Sequence, residues 1–563
     1  MLTGALSRTA STRHVRSLHI KGFLYLEDVG ESNKEAGWET DASRADKWEQ
    51  YRKDQGLDEV LGDEEPTVHG WFEDYGPVEV TAEEDAAWAP FIRLVKALPR
   101  LTKLVYDCRN QFPPTLLAAL HIYHPRCRLH HLTFRLRSLL QQDPDPHEMA
   151  LATSPCLHRV KLHCAWRNSN AQDDFNEEAM LELVAGLAPN LKELSMISVF
   201  PALPSSGWRD PRAAWRGLPG FVEPDKSAIG SLTSLSLVGA LRFSPELLQT
   251  WHRHTDFTML RHLVLGGGLE CNKGINDETM RWMVQNCSFP RLETLRVRLR
   301  RDDEDIDKPN YAVDAAAFFR AFEPLEELSL SGPLEPEILN SILFRHGHKL
   351  KKLGLFPHEN PFDSRLMHVP MILTREHIEK IQARCPAVYD LSIPIKRTNS
   401  DRTEAELYRG LGKFARLQRL FLVLDCSNWR VMRDSTLTDD PSFDDDDREL
   451  FITINSHIKR GHVRECLVNC AVDETLARSI WETICRDKIT QLKSLKLYTT
   501  GGGKFGNTSS YWDLRKLVSN MSRSFIIERA GEEDDSISVR ELGGRARIAR
   551  DQQYTRWEPG LAG

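Results

Sequence analysis

The sequence predicts an α/β fold: a leucine-rich-repeat solenoid, drawn as a horseshoe with parallel strands on the concave face and helices on the convex face. Three observations carry this. One phrase, Leu-x-x-Leu-x-Leu or a close variant, returns throughout the 563 residues, and it is the strand signature of such a repeat. The segments between phrases carry apolar residues at helical spacing. The middle residues of successive phrases, from Leu104 to Leu495, lie about 33 residues apart on average, which leaves room for a full helix in each unit.

The elements come in this order along the chain. Val15-Arg-Ser-Leu18-His-Ile20 is the first strand, in a segment 1–26 that carries Arg8, Arg13, Arg16 and Lys21 and no acid. That composition weakly resembles a mitochondrial presequence, but the strand phrase within it competes with that reading. Residues 27–90 form an acidic, disordered insertion. Residues 27–88 hold 20 acids against five bases, so the segment is near -15 while the whole chain is only -7. Such charge with few apolar residues does not bury a core. Repeats then run over 91–499, with middle residues Leu104, Leu132, Val160, Leu194, Leu235, Leu263, Leu295, Leu328, Leu353, Leu391, Leu420, Cys466 and Leu495. Counting Leu18, this makes about 13–14 units. The long steps before Leu235 and before Cys466 hold Pro201 to Trp215 and Asp439 to Glu449, and both read as surface loops. Helices are expected at Pro114–Ile122, Glu177–Ala185, Asp277–Val284, Pro336–Leu343, Thr374–Ile381 and Asp473–Trp481. Several open on Asp, Thr or Pro followed by Glu, which suits a helix N-terminus. Residues 500–563 read as a cap and tail, with a helix over Tyr511–Met521 and paired strands at Phe525–Glu528 and Ser536–Arg540. A solenoid has to cover its last apolar edge.

Side chains alternate along a strand, so the residues between the leucines face the open side of the sheet. Ten of them make the candidate partner-binding row: Arg135, Arg159, Lys161, His163, Arg296, Arg298, Phe356, Phe421, Lys496 and Tyr498. Two basic clusters stand out, Arg135/Arg159/Lys161/His163 and Arg296/Arg298 with Arg300 and Arg301 behind them. They read either as an ordinary solvated face or as a docking patch for an acidic protein segment. The acidic insertion is likewise open to two readings: a solvating loop, or a strip that covers the basic clusters.

Other chemistry finds little support. Eleven scattered cysteines lack paired spacing and read as small buried side chains in a reducing compartment. The histidines and cysteines of 121–131 and 156–164 lack metal-ligand spacing. Gly501-Gly-Gly-Lys504 lacks the spacing of a phosphate-binding loop. No run of 18 apolar residues occurs. The expectation is a non-enzymatic protein in the cytoplasm or nucleus, without metal or cofactor, that binds a protein and neither nucleic acid nor membrane.

Pro99-Arg-Leu101, Pro189-Asn-Leu191, Pro290-Arg-Leu292 and Pro324-Leu325 open their phrases with proline, in units of uneven length broken by acidic insertions. This pattern over 91–499 resembles the F-box/leucine-rich-repeat proteins of filamentous fungi. The resemblance implies a substrate receptor of a cullin ubiquitin ligase. In that family an N-terminal F-box binds a Skp-type adaptor and the repeats select the substrate. Here the first strand arrives by Leu18, so the chain reads as the substrate-binding part, its F-box absent or lost by truncation. An adaptor would bind only through an F-box lying upstream. The F-box-like phrase Leu334-Glu-Pro-Glu-Ile-Leu-Asn-Ser-Ile-Leu343 occupies a repeat-helix slot and is read as a repeat helix.

Overall fold

The computed structural model describes residues 11–22, 82–108, 110–140, 145–167, 173–199, 212–218, 229–239, 243–266, 274–301, 310–360, 368–434, 436–437, 440–451, 457–487, 492–506, 521–531 and 536–543, with 489, 514, 517 and 518. Nearly all of the acidic segment, the Pro201–Gly207 stretch with Trp208, most of 511–521 and the tail from 544 lie outside them.

Among the described residues thirteen strands carry the repeat. They are β1 (Ser17–Gly22), β2 (Lys103–Cys108), β3 (Arg128–Phe134), β4 (Leu157–Cys164), β5 (Glu193–Ser198), β6 (Ser234–Gly239) and β7 (His262–Leu265), then β8 (Thr294–Arg298), β9 (Glu327–Gly332), β10 (Lys352–Pro357), β11 (Asp390–Lys396), β12 (Arg419–Asp425) and β13 (Ser494–Thr500). A closing hairpin adds β14 (Ser524–Arg529) and β15 (Ile537–Leu542). The chain divides into two compact units, the first holding β1–β7 and the second β8–β15. Within each, strands adjacent in the sheet are adjacent in the chain, and all pair in parallel through β13. This is the architecture of a leucine-rich-repeat solenoid.

The leucines set the register. In the second unit the middle residues form one unbroken row, Leu295–Leu328–Leu353–Leu391–Leu420–Leu495. Each is at most 2% exposed. In the first unit the row runs Val160–Leu194–Leu235–Leu263. Strand β1 pairs with β2 at Leu18–Leu104, so the acidic segment interrupts a single connection.

Helices return the chain between strands. The first unit has α1 (Ala82–Ala87), α2 (Ala89–Lys96), α3 (Pro114–Tyr123), α4 (Pro146–Ala152), α5 (Asn176–Glu182) and α6 (Pro245–His254); the repeat region thus opens before residue 91. The second has α7 (Asp277–Asn286), α8 (Tyr311–Ala321), α9 (Pro336–His346), α10 (Arg375–Arg384), α11 (Arg402–Leu411), α12 (Arg430–Arg433), α13 (Asp445–Arg448), α14 (Arg460–Cys470) and α15 (Glu474–Cys485). Some of their starts are capped by side chains: Asp401 and Asp473 accept from the amides of Glu404 and Leu476, both at 2.8 Å, and Thr374 with His377 forms a capping box. Each cap pairs one of the orphan amides of a helix's first turn. The F-box-like phrase lies in α9, between β9 and β10, with Ile338, Leu339, Ile342, Leu343 and His346 buried.

Connections differ at the two ends of the strands. Helix-to-strand links are short, as from His346 to Lys352 or Arg384 to Asp390. The long interruptions come after strand C-termini, as after Gly22, Ser198 and Asp425. Gly332, at the end of β9, has φ +108°, and a Cβ there would collide with the Leu299 carbonyl. Only glycine suits that bend and that approach.

Two expected strand positions are corrected. Cys466 lies in α14, not in a strand, and β12 pairs directly with β13. In β3 a register shift puts His131 opposite Val160 and Phe134 opposite Leu162. His131, which precedes the middle residue Leu132 and so is expected on the open face, is therefore a core residue. It is 3% exposed and packs on Tyr106, Phe112 and Phe134 at centroid distances of 5.1, 5.7 and 5.5 Å. Asp439 to Glu449, expected as loop, contains the short helix α13, capped by Asp444 and tied to α14 through Arg464–Asp447 at 2.7 Å.

The expected cap strands form the antiparallel pair β14–β15, with β14 antiparallel to β13. The repeat thus ends where strand direction reverses.

Candidate protein-binding face

The open face of the second unit can be read level by level from the register. At the lowest level Glu327, Lys352, Asp390 and Arg419 stand side by side on β9–β12. Their charges close on one another, Lys352 to Glu327 at 2.7 Å and Arg419 to Asp390 at 2.6 Å. Exposed pairs of this kind contribute little stability, but they leave no net charge at that level.

The next level is different. It reads Arg296, Ser329, Gly354, Ser392, Phe421 and Lys496 from β8 to β13. The level above holds Arg298, Ser331 and Phe356, then Pro394, Val423 and Tyr498. Neither level contains an Asp or Glu among these strand positions. Ser329, Gly354 and Ser392 make a low floor, because none carries more than a hydroxyl. The Phe356 ring leans over the glycine, its Cε2 3.2 Å from where a Cβ would stand. The rings of Phe356 and Phe421 lie 6.5 Å apart, and the Lys496 ammonium sits 5.5 Å from the Phe421 ring centre. Both phenylalanines are half-buried.

Toward the strand C-termini a polar cluster bounds this face. His358 meets Trp429 edge-on at 5.6 Å. Burial, with Arg298, Lys504 and Arg433 nearby, pulls its imidazole down to about 3, so it stands neutral beside cations. Arg433 stacks on Trp429 and donates to the carbonyls of Gly506, His368 and Asn360 at 2.8, 2.9 and 2.7 Å.

The expected site residues therefore fare unequally. Arg296, Phe356, Phe421, Lys496 and Tyr498 share one open face. Arg298 belongs to it by register but is only 4% exposed, so its expected exposure is corrected. In the first unit the basic cluster is largely drawn inward. Arg135 is turned toward Asp174, 4.0 Å away, with its side chain 9% exposed. Arg159 faces Glu193 at 3.6 Å. Burial and the charges of Lys161 and Arg135 hold His163 at about 4. Its register neighbours Ile197 and Val238 are buried in a small apolar cluster, so this level is covered. Lys161 lies two residues before His163 on β4, half-buried.

The positions missed from sequence are the small ones, Ser329, Gly354 and Ser392, together with His358 and Lys504 beyond the strands. The signal for the floor was present as Ser and Gly between the leucines of three adjacent phrases.

A second feature lies in the first unit. Residues 212–218, part of the long insertion after β5, are strapped to α5. Arg212 holds Glu178 in a two-pronged contact and stacks between Trp166 and Phe175, at 4.8 and 4.6 Å. Trp215 Nε1 and the Leu218 amide donate to the two carboxylate oxygens of Glu182, at 2.6 and 2.9 Å. Burial, with the nearby charges of Glu178 and Asp174 and against that of Arg212, raises the neighbouring Glu177 to about 7.

Among the described residues no group of three or more His, Cys, Asp or Glu is disposed to hold a metal ion. No described helix is long and apolar enough to cross a membrane. Burial pushes the Cys127, Cys287 and Cys385 thiols up to about 12, the opposite of an activated nucleophile.

The fold and this face define a leucine-rich-repeat protein. No protein-family model matches the chain, and no curated protein matches it. Among solved structures, the chain is similar to the leucine-rich repeat-containing protein LegL7 from Legionella pneumophila, at 12% identity and a TM-score of 0.27, over 77% of this chain and 93% of that one.

Proposed function

We propose that this protein is a non-enzymatic protein-binding scaffold, and that it serves as the substrate-recognition part of an F-box-type ubiquitin-ligase receptor in the cytoplasm or nucleus. The observation that carries the scaffold reading is the open face of β8–β13. A row of leucines fixed on one side presents an aromatic pair, small residues and cations on the other. Rigid strands carrying varied outward side chains suit recognition rather than catalysis. The receptor reading rests on the proline-led repeat phrases and their resemblance to fungal F-box proteins. A stand-alone scaffold unconnected with ubiquitin transfer is the rival. Affinity purification of the protein from its own cells separates them. Recovery of a Skp-type adaptor and a cullin supports the receptor. Recovery of partners with neither assigns the stand-alone role.

A further inference from the structure

The face of β8–β13 has a chemistry that selects among protein partners, and the assignment of that partner rests on the scaffold reading. Its middle level carries a cation at each end, Arg296 on β8 and Lys496 on β13, and neither this level nor the one above it holds a strand acid. The nearest strand acids are Glu327 and Asp390 in the level below, closed on Lys352 and Arg419, and Asp425 at the upper edge, 3.7 Å from Lys396. Beyond the strands Lys504 adds an exposed cation near His358. The centre is apolar and low, with the Phe356 and Phe421 rings beside Gly354 and Ser392. Six strands at about 4.8 Å spacing span about 24 Å, the length of about seven extended residues.

We propose that this face binds an extended acidic protein segment that lays one apolar side chain against Phe356 and Phe421 and directs its carboxylates to Arg296, Lys496 and Lys504. The apolar contact supplies affinity, because half-exposed aromatic rings gain most from being covered. The charges supply selection and on-rate. A carboxylate reaching Lys496 meets a cation already held over Phe421, so little side-chain ordering remains to be done. Basic segments are repelled at both ends of the row. Single-stranded RNA shares the anionic and stacking chemistry, so oligouridine is included as a comparison probe.

The test uses the full chain and a fluorescent Glu/Asp-rich peptide with a central leucine, with binding read by anisotropy at low and high salt. Three comparison probes are the same peptide with lysines for its acids, the same peptide with glycine for its leucine, and oligouridine. The acidic leucine peptide is expected to bind best and to weaken with salt. Phe421→Ser and Lys496→Glu should each weaken it by about tenfold, and Lys496→Glu should improve the lysine peptide. Circular dichroism and unfolding midpoints matching the wild type show that these surface variants fold. Equal binding of acidic and basic peptides, tighter binding of oligouridine, or insensitivity to both substitutions overturns the proposal. If both variants still retain the partners recovered from cells, the scaffold reading stands and only this assignment falls.

Discussion

Replacing His346 with leucine tests how one repeat is latched to the next. His346 ends α9 and is fully buried. Its Nε2 donates to the Phe319 carbonyl at 2.9 Å, and its Nδ1 accepts from the Leu325 amide at 3.3 Å. A carbonyl only accepts and an amide only donates, so the neutral Nε2–H tautomer is the one that fits. Burial, with Arg345 and His348 adding repulsion, holds the imidazole down at about 4 against the Phe319 bond, which favours the charged form. The folded state thus binds the proton more weakly than the unfolded chain, whose histidines titrate near 6.5. The contribution is complete above the unfolded value and is lost as the pH falls from there toward the folded one. At about pH 4.5 this group alone has removed about 2.5 kcal/mol. His346→Leu keeps most of the volume but forfeits both bonds and strands a buried amide, for about 3 kcal/mol near neutrality. The variant lacks the titration, so the gap should close to about 0.5 kcal/mol near pH 4.5. His131, His163 and His358 titrate in both proteins and cancel in the difference. Urea unfolding at a series of pH values reads the gap, and hydrogen exchange at the Leu325 amide reads the latch itself, since a repeat array need not unfold in one step. A gap that stays constant from neutrality to acid would refute the account.

Other perturbations address other parts of the molecule. Glu404 is 1% exposed, ion-paired with the buried Arg397, and accepts from the Thr398 and Ser400 amides at 2.8 and 3.0 Å and from the Tyr408 hydroxyl at 2.8 Å. Glu404→Ala leaves the guanidinium uncompensated and should cost about 3–5 kcal/mol, read from the unfolding midpoint. Gly332→Ala forces a Cβ onto the Leu299 carbonyl at a left-handed backbone position, so a loss of at least about 2 kcal/mol is expected in the same assay. Glu182→Ala releases Trp215 and Leu218 together. Limited trypsin digestion should then cut at Arg216 faster than in the wild type, with the global midpoint little changed. The buried Nδ1 of His131 has no hydrogen-bond partner, so His131→Leu should stay within about 1 kcal/mol of the wild type at neutral pH.

The repeat phrase makes the second unit legible almost residue by residue, because a leucine in a parallel row fixes its neighbours' register. Legibility fails where another structure satisfies the same spacing. Val463 and Cys466 lie three apart, as in the strand phrase, but also on one face of a helix. Cys470, one turn further and buried with them, shows that α14 is what the segment forms. In β3 the leucines of Leu129-His-His-Leu132 match the phrase, yet a bulge places His131 in the core slot, and a bulge leaves no local mark in the pattern. The site was half legible. Outward strand positions named Phe356, Phe421 and Lys496, but the burial of Arg298 and the turning of Arg135 toward Asp174 depend on segments distant in sequence.

The unequal connections at the two strand ends give the protein a built-in division of labour. A residue inserted in a short helix-to-strand link displaces the next leucine from its row, and the register spreads that fault to the neighbouring strands. A residue inserted after a strand moves nothing in the row. The rim that carries His358, Trp429 and Lys504 can therefore be lengthened, shortened or exchanged for a foreign loop while the ladder beneath it keeps its alignment. For a designer, that rim is where new specificity can be grafted at least risk to folding.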